Sequence, residues 1–260
     1  KENPNIDYQK MNRNELSKLP KYTGVIDFKI SQTSFKMLNI LNDDSSVVKF
    51  FWYGSHDIQS LDLWYEISKE EGIYIDVGAH TGLYSLTSVK ANKMNFVISI
   101  EPYFMNMARL ITNLRLNNIS NKNIEMLIVA ASNENTVKNF HIPNKSILSK
   151  GGKINENGEP VKVIKLDNLK IDKTNKPIKG IKIDTEGEDL NVLMGSQEII
   201  NKFKPKIIIE VRESNKTDII DFFKTINYSV YKVSNPSIKI ASYDLNIDKV
   251  ENILAAPNET

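Results

Sequence analysis

Short apolar runs alternating with stretches of helical spacing constrain this chain more than any other feature, and they begin at residue 73. Ile73 to Val77, Phe96 to Ile100, Ile124 to Ala130, Ile178 to Ile183 and Ile207 to Val211 are β-branched runs bounded by polar or turn residues, the pattern of buried strands. Tyr228 to Val233 and Ile253 to Ala256 are placed to finish the sheet. Between the runs, Leu83 to Val89, Met105 to Asn117, Leu190 to Phe203 and Thr217 to Ile226 carry apolar residues at helical spacing. Alternation of this kind is the mark of βαβ units, so the expected fold class is α/β with a doubly wound, mainly parallel sheet.

The rhythm breaks between Asn135 and Leu166, where Gly151-Gly152 and Asn157-Gly158 are turn signals between β-prone flanks. An inserted β-hairpin is expected over about residues 135–166. Residues 1–72 show no βαβ pattern, although Asp62 to Ile67 reads as a short helix entering the first strand. They are expected to form an N-terminal cap or extension on a ligand-binding domain spanning 73–260, without a linker that would make the two independent. A length of 260 residues suits one such domain with an appendage, hence one active site. The chain opens at Lys1 on a polar stretch with no apolar leader core, which leaves room for an upstream segment. No run approaches the ~20 apolar residues of a membrane helix. A formal charge of +2 gives no sign of a basic surface for nucleic acid. The absence of cysteine excludes disulfides, thiolate metal sites and a cysteine nucleophile, and it fits a reducing cytoplasm. Nothing in the sequence sets the oligomeric state.

The segment Tyr74 to Tyr84 is a strand running through a glycine-bearing turn into a helix. Gly78 and Gly82 allow a tight turn and close backbone approach to a ligand, and the helix that follows offers free N–H groups to an anion such as an amino-acid carboxylate. A dinucleotide site would need G-x-G-x-x-G, whereas His80 stands where its second glycine would make room for a pyrophosphate. Asp-x-Gly-x-x-x-Gly instead suits a ligand with a cationic amino-acid end, with Asp76 as acceptor for an ammonium or as a brace for the loop. Ala79, His80 and Thr81 complete the loop. The next run ends in Glu101-Pro102, about twenty residues beyond Gly82, where such folds place the carboxylate that grips ribose hydroxyls.

Five ordered segments now resemble the FkbM family of methyltransferases. They are Ile75-Asp76-Val77-Gly78-Ala79 with Gly82; Glu101-Pro102 with Asn113 and Asn117; Ala130-Ala131-Ser132; Leu166-Asp167-Asn168-Leu169; and Ile181-Lys182-Ile183-Asp184-Thr185-Glu186-Gly187. The resemblance covers about residues 60–212. It implies a Rossmann-like class I methyltransferase fold, S-adenosylmethionine as cofactor, and O-methylation of a hydroxyl on a sugar, glycan or polyketide-type small molecule. The sequence departs from the family at His80, where asparagine is common, and at Asn133, where aspartate is common. Asn133, beside Ser132, can still read adenine N6 through its amide oxygen. Asp189 aligns with the family's acid at a helix start and is read as complementing the helix dipole.

Ligands of open α/β sheets bind beyond the carboxyl ends of the strands, so Asp184, Thr185 and Glu186 are expected at the reacting methyl group. An alcohol needs a base as its C–O bond forms. Asp184 and Glu186 are the leading candidates to orient donor and acceptor, with Glu186, His56, His80 or His141 taking the proton. Glu210 with Arg212 reads as a strand-end ion pair. The spacing of Asp184, Glu186 and the histidines matches no metal motif, and no metal is expected. Two other functions remain open at this level: an NAD- or nucleotide-sugar-dependent oxidoreductase or epimerase, which the missing phosphate glycines disfavour, and a non-catalytic nucleotide-binding module. A nucleic-acid amine methyltransferase would carry Asn/Asp-Pro-Pro-aromatic where this chain has Asp184-Thr185-Glu186-Gly187.

Overall fold

A computed structural model describes residues 15, 18–54, 57–143, 148, 151–171, 174–233, 235–239 and 251–258. The first described elements are a hairpin of β1 (Gly24–Ile30) and β2 (Thr33–Asn39), then α1 (Ser45–Tyr53) and α2 (Ile58–Ile67). Alternation in the hairpin points Ile26, Phe28, Ile30, Phe35 and Met37 inward and Val25, Asp27, Lys29, Ser34 and Lys36 outward. There follow β3 (Ile73–Val77), α3 (Leu83–Ala91), β4 (Phe96–Ile100), α4 (Phe104–Leu116) and β5 (Ile124–Leu127). A side sheet comprises β6 (Ala130–Ala131), β7 (Thr136–His141), β8 (Lys153–Ile154) and β9 (Glu159–Ile164). The chain then returns through β10 (Ile178–Ile183), α5 (Asp189–Met194), α6 (Gln197–Phe203), β11 (Lys206–Val211), α7 (Lys216–Thr225), β12 (Tyr228–Lys232), β13 (Asn235–Lys239) and β14 (Glu251–Pro257).

The main sheet has the order β13-β12-β14-β11-β10-β3-β4-β5. Its β11-β10-β3-β4-β5 portion is parallel, and β14, β12 and β13 add an antiparallel edge, so the sheet is mixed. Both faces of the parallel part are covered: Ile73, Ile75 and Val77 pack with the helices after β10, while Tyr74 and Val97 pack with α3, α4 and the hairpin. Coverage on both faces is why these strands read as continuous apolar runs and not as alternating ones. From β3 the chain steps outward to β4 and β5, then crosses back to β10 on the other side of β3. The chain turns to opposite sides after β3 and after β10, so beyond the contact of Gly78 with the Asp184 carbonyl a crevice opens at the carboxyl end of the sheet.

Two expected elements take another form. The run Ile124 to Ala130 is interrupted, because β5 is the edge of the main sheet and the chain leaves it through exposed Ile128 to pair Ala130–Ala131 with β9. Leu190 to Phe203 is two helices. A Cβ on Gly195 would overlap the carbonyl oxygen of Ser132, and the Gly195 carbonyl accepts from Asp167 N (3.0 Å), so the helix breaks to let these backbones meet. The expected hairpin is present as the antiparallel β7–β9 pair, with β8 and β6 added at its edges.

The β1–β2 hairpin is stitched to α4. Asn113 Oδ1 accepts from Leu38 N (2.9 Å), and Asn117 accepts from Lys36 N (2.8 Å) while donating to Lys36 O (2.7 Å). Buried Arg109 grips Asp43 with both terminal nitrogens (3.1 and 2.7 Å) and donates to Leu38 O (3.0 Å).

Candidate active site

The loop after β3 is held from three sides. Gly78 has φ 79° and Gly82 φ 96°, and a Cβ on Gly78 would land on the carbonyl oxygen of Asp184, so this crossing of the two loops accepts glycine alone. Gly78 N and Ala79 N both donate to Ile100 O (2.9 and 3.0 Å), which ties the loop to the end of β4. His80 adopts a left-handed φ of 49°, fixed by its N–H donating to Glu101 Oε2 (2.9 Å). Thr81 Oγ1 donates to Asp44 Oδ2 (2.6 Å), and Asn113 Nδ2 donates to Thr81 O (2.9 Å). Asp44 is the N-cap of α1, receiving Ser46 N and Val47 N, so one buried carboxylate joins the cap to the loop. No side chain caps α3, which leaves its N-terminal turn available to an anion in the cleft.

Asp76 lies beneath this loop. It is buried and accepts from Ser85 Oγ (2.6 Å), and burial pushes its carboxyl up to about 6. Glu101 lines the cleft at the end of β4. Its Oε2 serves His80 N, and its Oε1 receives Tyr103 N (2.9 Å) and Asn106 Nδ2 (3.3 Å). Burial raises Glu101 to about 7 despite those three donors.

Across the crevice, Asp184 follows β10 and Glu186 sits at the loop tip with φ 52°. Asp189, read from the sequence as a dipole complement, instead holds this loop: its Oδ1 accepts from Thr185 N (2.9 Å) and Thr185 Oγ1 (3.0 Å), its Oδ2 from Gly187 N (3.2 Å). Burial raises its carboxyl above the usual range. Arg212 Nη2 pairs with Glu186 Oε2 (2.6 Å) and also with Glu210 Oε1, so the strand-end pair is a triad reaching the loop. Burial, and then Asp184, push Glu210 up to about 7.

One cleft gathers Gly78, Ala79, His80, Thr81, Glu101, Pro102, Asp184 and Glu186 from the expected set. Asp76 and Gly82 support it from behind, Gly82 by packing on Leu110. Ser132 and Asn133 stand outside the lining: Ser132 is buried and donates to Glu188 Oε2 (2.8 Å), and Asn133 is exposed. His141 also stands outside, with Nδ1 against Asn157 O (2.8 Å). His56 lies outside the described residues. Among the described residues, no three His, Asp or Glu side chains are grouped to hold a metal ion, and no helix is long and apolar enough to cross a membrane.

Several lining residues carry no sequence signal of their own. Asp57 comes from the N-terminal region and accepts from Tyr84 OH, from Ser60 Oγ (2.5 Å) and from Asn252 Nδ2 (3.0 Å), so residues nearly two hundred positions apart meet here. Burial and the neighbouring Asp57 push the Tyr84 phenol well above its ordinary value, which keeps it a donor. Phe140, Gly151, Gly152 and Ile154 of the side sheet roof the cleft. Gly152 admits the Phe140 ring where a Cβ would collide with it.

Comparison with known proteins agrees with this geometry. The family model described as "Methyltransferase FkbM domain" matches residues 76–230, more than half of the chain. A crystal structure of Methyltransferase FkbM from Methylobacillus flagellatus KT superposes with a TM-score of 0.50 at 18% identity, over 81% of this chain and 52% of that one. A putative SAM-dependent methyltransferase from Streptococcus mutans superposes with a TM-score of 0.53 at 10% identity, over 91% of this chain and 56% of that one. The present chain thus spans about half the length of these two structures, and at such identities they speak for the fold alone. No curated protein matches the sequence significantly. A class I, Rossmann-like sheet, a glycine loop bonded to a strand-end glutamate beside a switch-point crevice, and the family match together place this chain in the FkbM family of S-adenosylmethionine-dependent methyltransferases.

Proposed function

We propose that the chain O-methylates a hydroxyl of a sugar, glycan or polyketide-type small molecule in the cytoplasm. The observation that carries this reading is the meeting of Asp184, Glu186 and the Asp57–Tyr84 pair on the same cleft as the donor loop. Such groups accept and orient hydroxyl protons.

The residues present suit the donor. The uncapped start of α3 would receive an amino-acid carboxylate, and Asp184 would complement a cationic group. His80 N takes one lone pair of Glu101 Oε2, and Tyr103 N and Asn106 take those of Oε1, which leaves a lone pair on Oε2 for a ribose hydroxyl. Bound S-adenosylmethionine supplies an electrophilic methyl group on a positively charged sulfur. Gly78, Ala79, His80, Thr81 and Pro102 shape the donor end, with Asp76 and Gly82 fixing the loop. Glu186 orients the acceptor hydroxyl and takes its proton through Oε1, since Oε2 is engaged by Arg212. His80, which lines the cleft, is the second candidate for that proton. Positioning and proton removal together account for several kcal/mol of a methyl-transfer barrier.

The test is turnover of labelled S-adenosylmethionine against a panel of glycosides, free sugars and hydroxylated polyketides, with the methylated atom located by NMR. An O-methyl ether on a panel member is the expected product. Methylation confined to nitrogen or carbon, or to RNA or protein added in parallel, would refute the acceptor class.

A further inference from the structure

Lys182 lies on β10, two residues before Asp184, and its side chain is 1% exposed. An ammonium is buried this deeply at a cost that must be offset by partners. Its Nζ donates to two neutral oxygens, Ile183 O (3.2 Å) and Asn252 Oδ1 (3.1 Å), and lies 5.0 Å from the centroid of the Tyr84 ring. Its ion-pair partner is Asp184, with Nζ to Oδ2 at 3.8 Å, and the Asp184 side chain is 41% exposed. One end of the pair is thus sealed and the other opens on the cleft.

The surroundings are acidic on every side. Asp76 on β3, Asp189 under the loop and Glu210 on β11 all feel both Asp184 and Lys182. Asp57 is reached through Asn252, while Arg212 is committed to Glu186 and Glu210. Without a buried cation, Asp184 would present an uncompensated charge to a positively charged donor. Such attraction is strongest before reaction and vanishes as the sulfur becomes neutral, so it would stabilise the ground state over the transition state.

We propose that Lys182 is a positioning residue for methyl transfer, a sealed counter-charge that holds Asp184 at the cleft and limits the carboxylate's grip on the sulfonium. The inference rests on the donor site described above. Lys182 touches no ligand itself and acts through Asp184, with Asn252 and Tyr84 fixing the ammonium.

The test compares a charged with a neutral ligand of nearly one shape. Calorimetric Kd values for S-adenosylmethionine and S-adenosylhomocysteine are measured on wild type, K182M, K182R and D184N. K182M is expected to raise the preference for the sulfonium by ~5-fold or more, as removal of one nearby charge requires. K182R should keep the wild-type ratio within twofold, and D184N should lower it. A structural role for Lys182 would weaken both ligands alike and leave the ratio unmoved. Should K182M fail to fold, K182Q, which can still donate to Ile183 O and Asn252 Oδ1 but carries no charge, takes its place with the same expected rise. An unchanged ratio in a folded K182M, or in K182Q, overturns the proposal while leaving the donor site intact. If wild type binds neither ligand, the donor site and this inference fall together.

Discussion

Glu101 gives the strongest test of the site because its burial and its expected ligand pull its proton in opposite directions. Its carboxyl is pushed up to about 7 from an ordinary 4.5, chiefly by burial, with His80 N, Tyr103 N and Asn106 holding it down. The folded protein therefore binds this proton more tightly than the unfolded chain does. The contribution of the group to stability is fully present below pH ~4.5 and is lost as pH rises through about 7, on the order of 3 kcal/mol in all. A ribose hydroxyl donating to the carboxylate favours the ionised form, so ligand binding should expel the proton. For a group titrating near 7, S-adenosylhomocysteine affinity should fall about tenfold between pH 8 and pH 6. Calorimetry in buffers of different ionisation enthalpy should show close to half a proton released at pH 7. Asp76, which burial pushes up to about 6, bonds Ser85 behind the loop and contributes at the acid end of this window, so the Glu101→Gln variant is needed to separate the two. Glu101→Gln should flatten the profile and weaken binding by about tenfold to a hundredfold. A single amide oxygen cannot serve His80 N, Tyr103 N and a ribose hydroxyl at once, and each charge-assisted bond lost contributes about 1.5–3 kcal/mol. A Kd independent of pH from 6 to 8, with no proton release, would refute the ribose role.

Three further outcomes are expected. Glu186→Gln should leave S-adenosylhomocysteine affinity within a few-fold while slowing methyl transfer by ~10²-fold if Glu186 is the base, with kcat falling more than KM rises. If a limb of kcat/KM near pH 6–7 instead disappears in His56→Ala, His80→Ala or His141→Ala, the base is that histidine. Thr81→Val removes the 2.6 Å bond to buried Asp44, which should cost about 1–3 kcal/mol in chemical denaturation and weaken S-adenosylhomocysteine by calorimetry; an unchanged midpoint would show that the cap does not brace the loop. Gly78→Ala should abolish S-adenosylhomocysteine binding, because the added carbon collides with the Asp184 carbonyl at a φ of 79°. Wild-type affinity in this variant would mean that the two loops need not cross closely.

Local chemistry made much of the molecule legible in the sequence. A strand buried on both faces is mostly apolar, a left-handed turn pressed against another backbone needs glycine, and these constraints fall on adjacent residues, so β3, the Gly78 and Gly82 turn, Glu101 and the Asp184 to Gly187 loop could be read in order. Long-range pairing was decided elsewhere. Whether Ala130 continues β5 or pairs with β9 depends on which backbone lies alongside, and Gly195 breaks a periodic helix only because the Ser132 carbonyl presses on it. Asn113 and Asn117 belong to a pattern shared with methyltransferases, yet the structure uses them to fasten β2 to α4 and to the carbonyl of Thr81. Asp44, Asp57, Lys182 and Asn252 are polar residues whose types are common and whose meaning is positional. They become a clamp on the glycine loop and a network beside Asp184 once the fold brings distant segments together and removes water from Asp44 and Lys182.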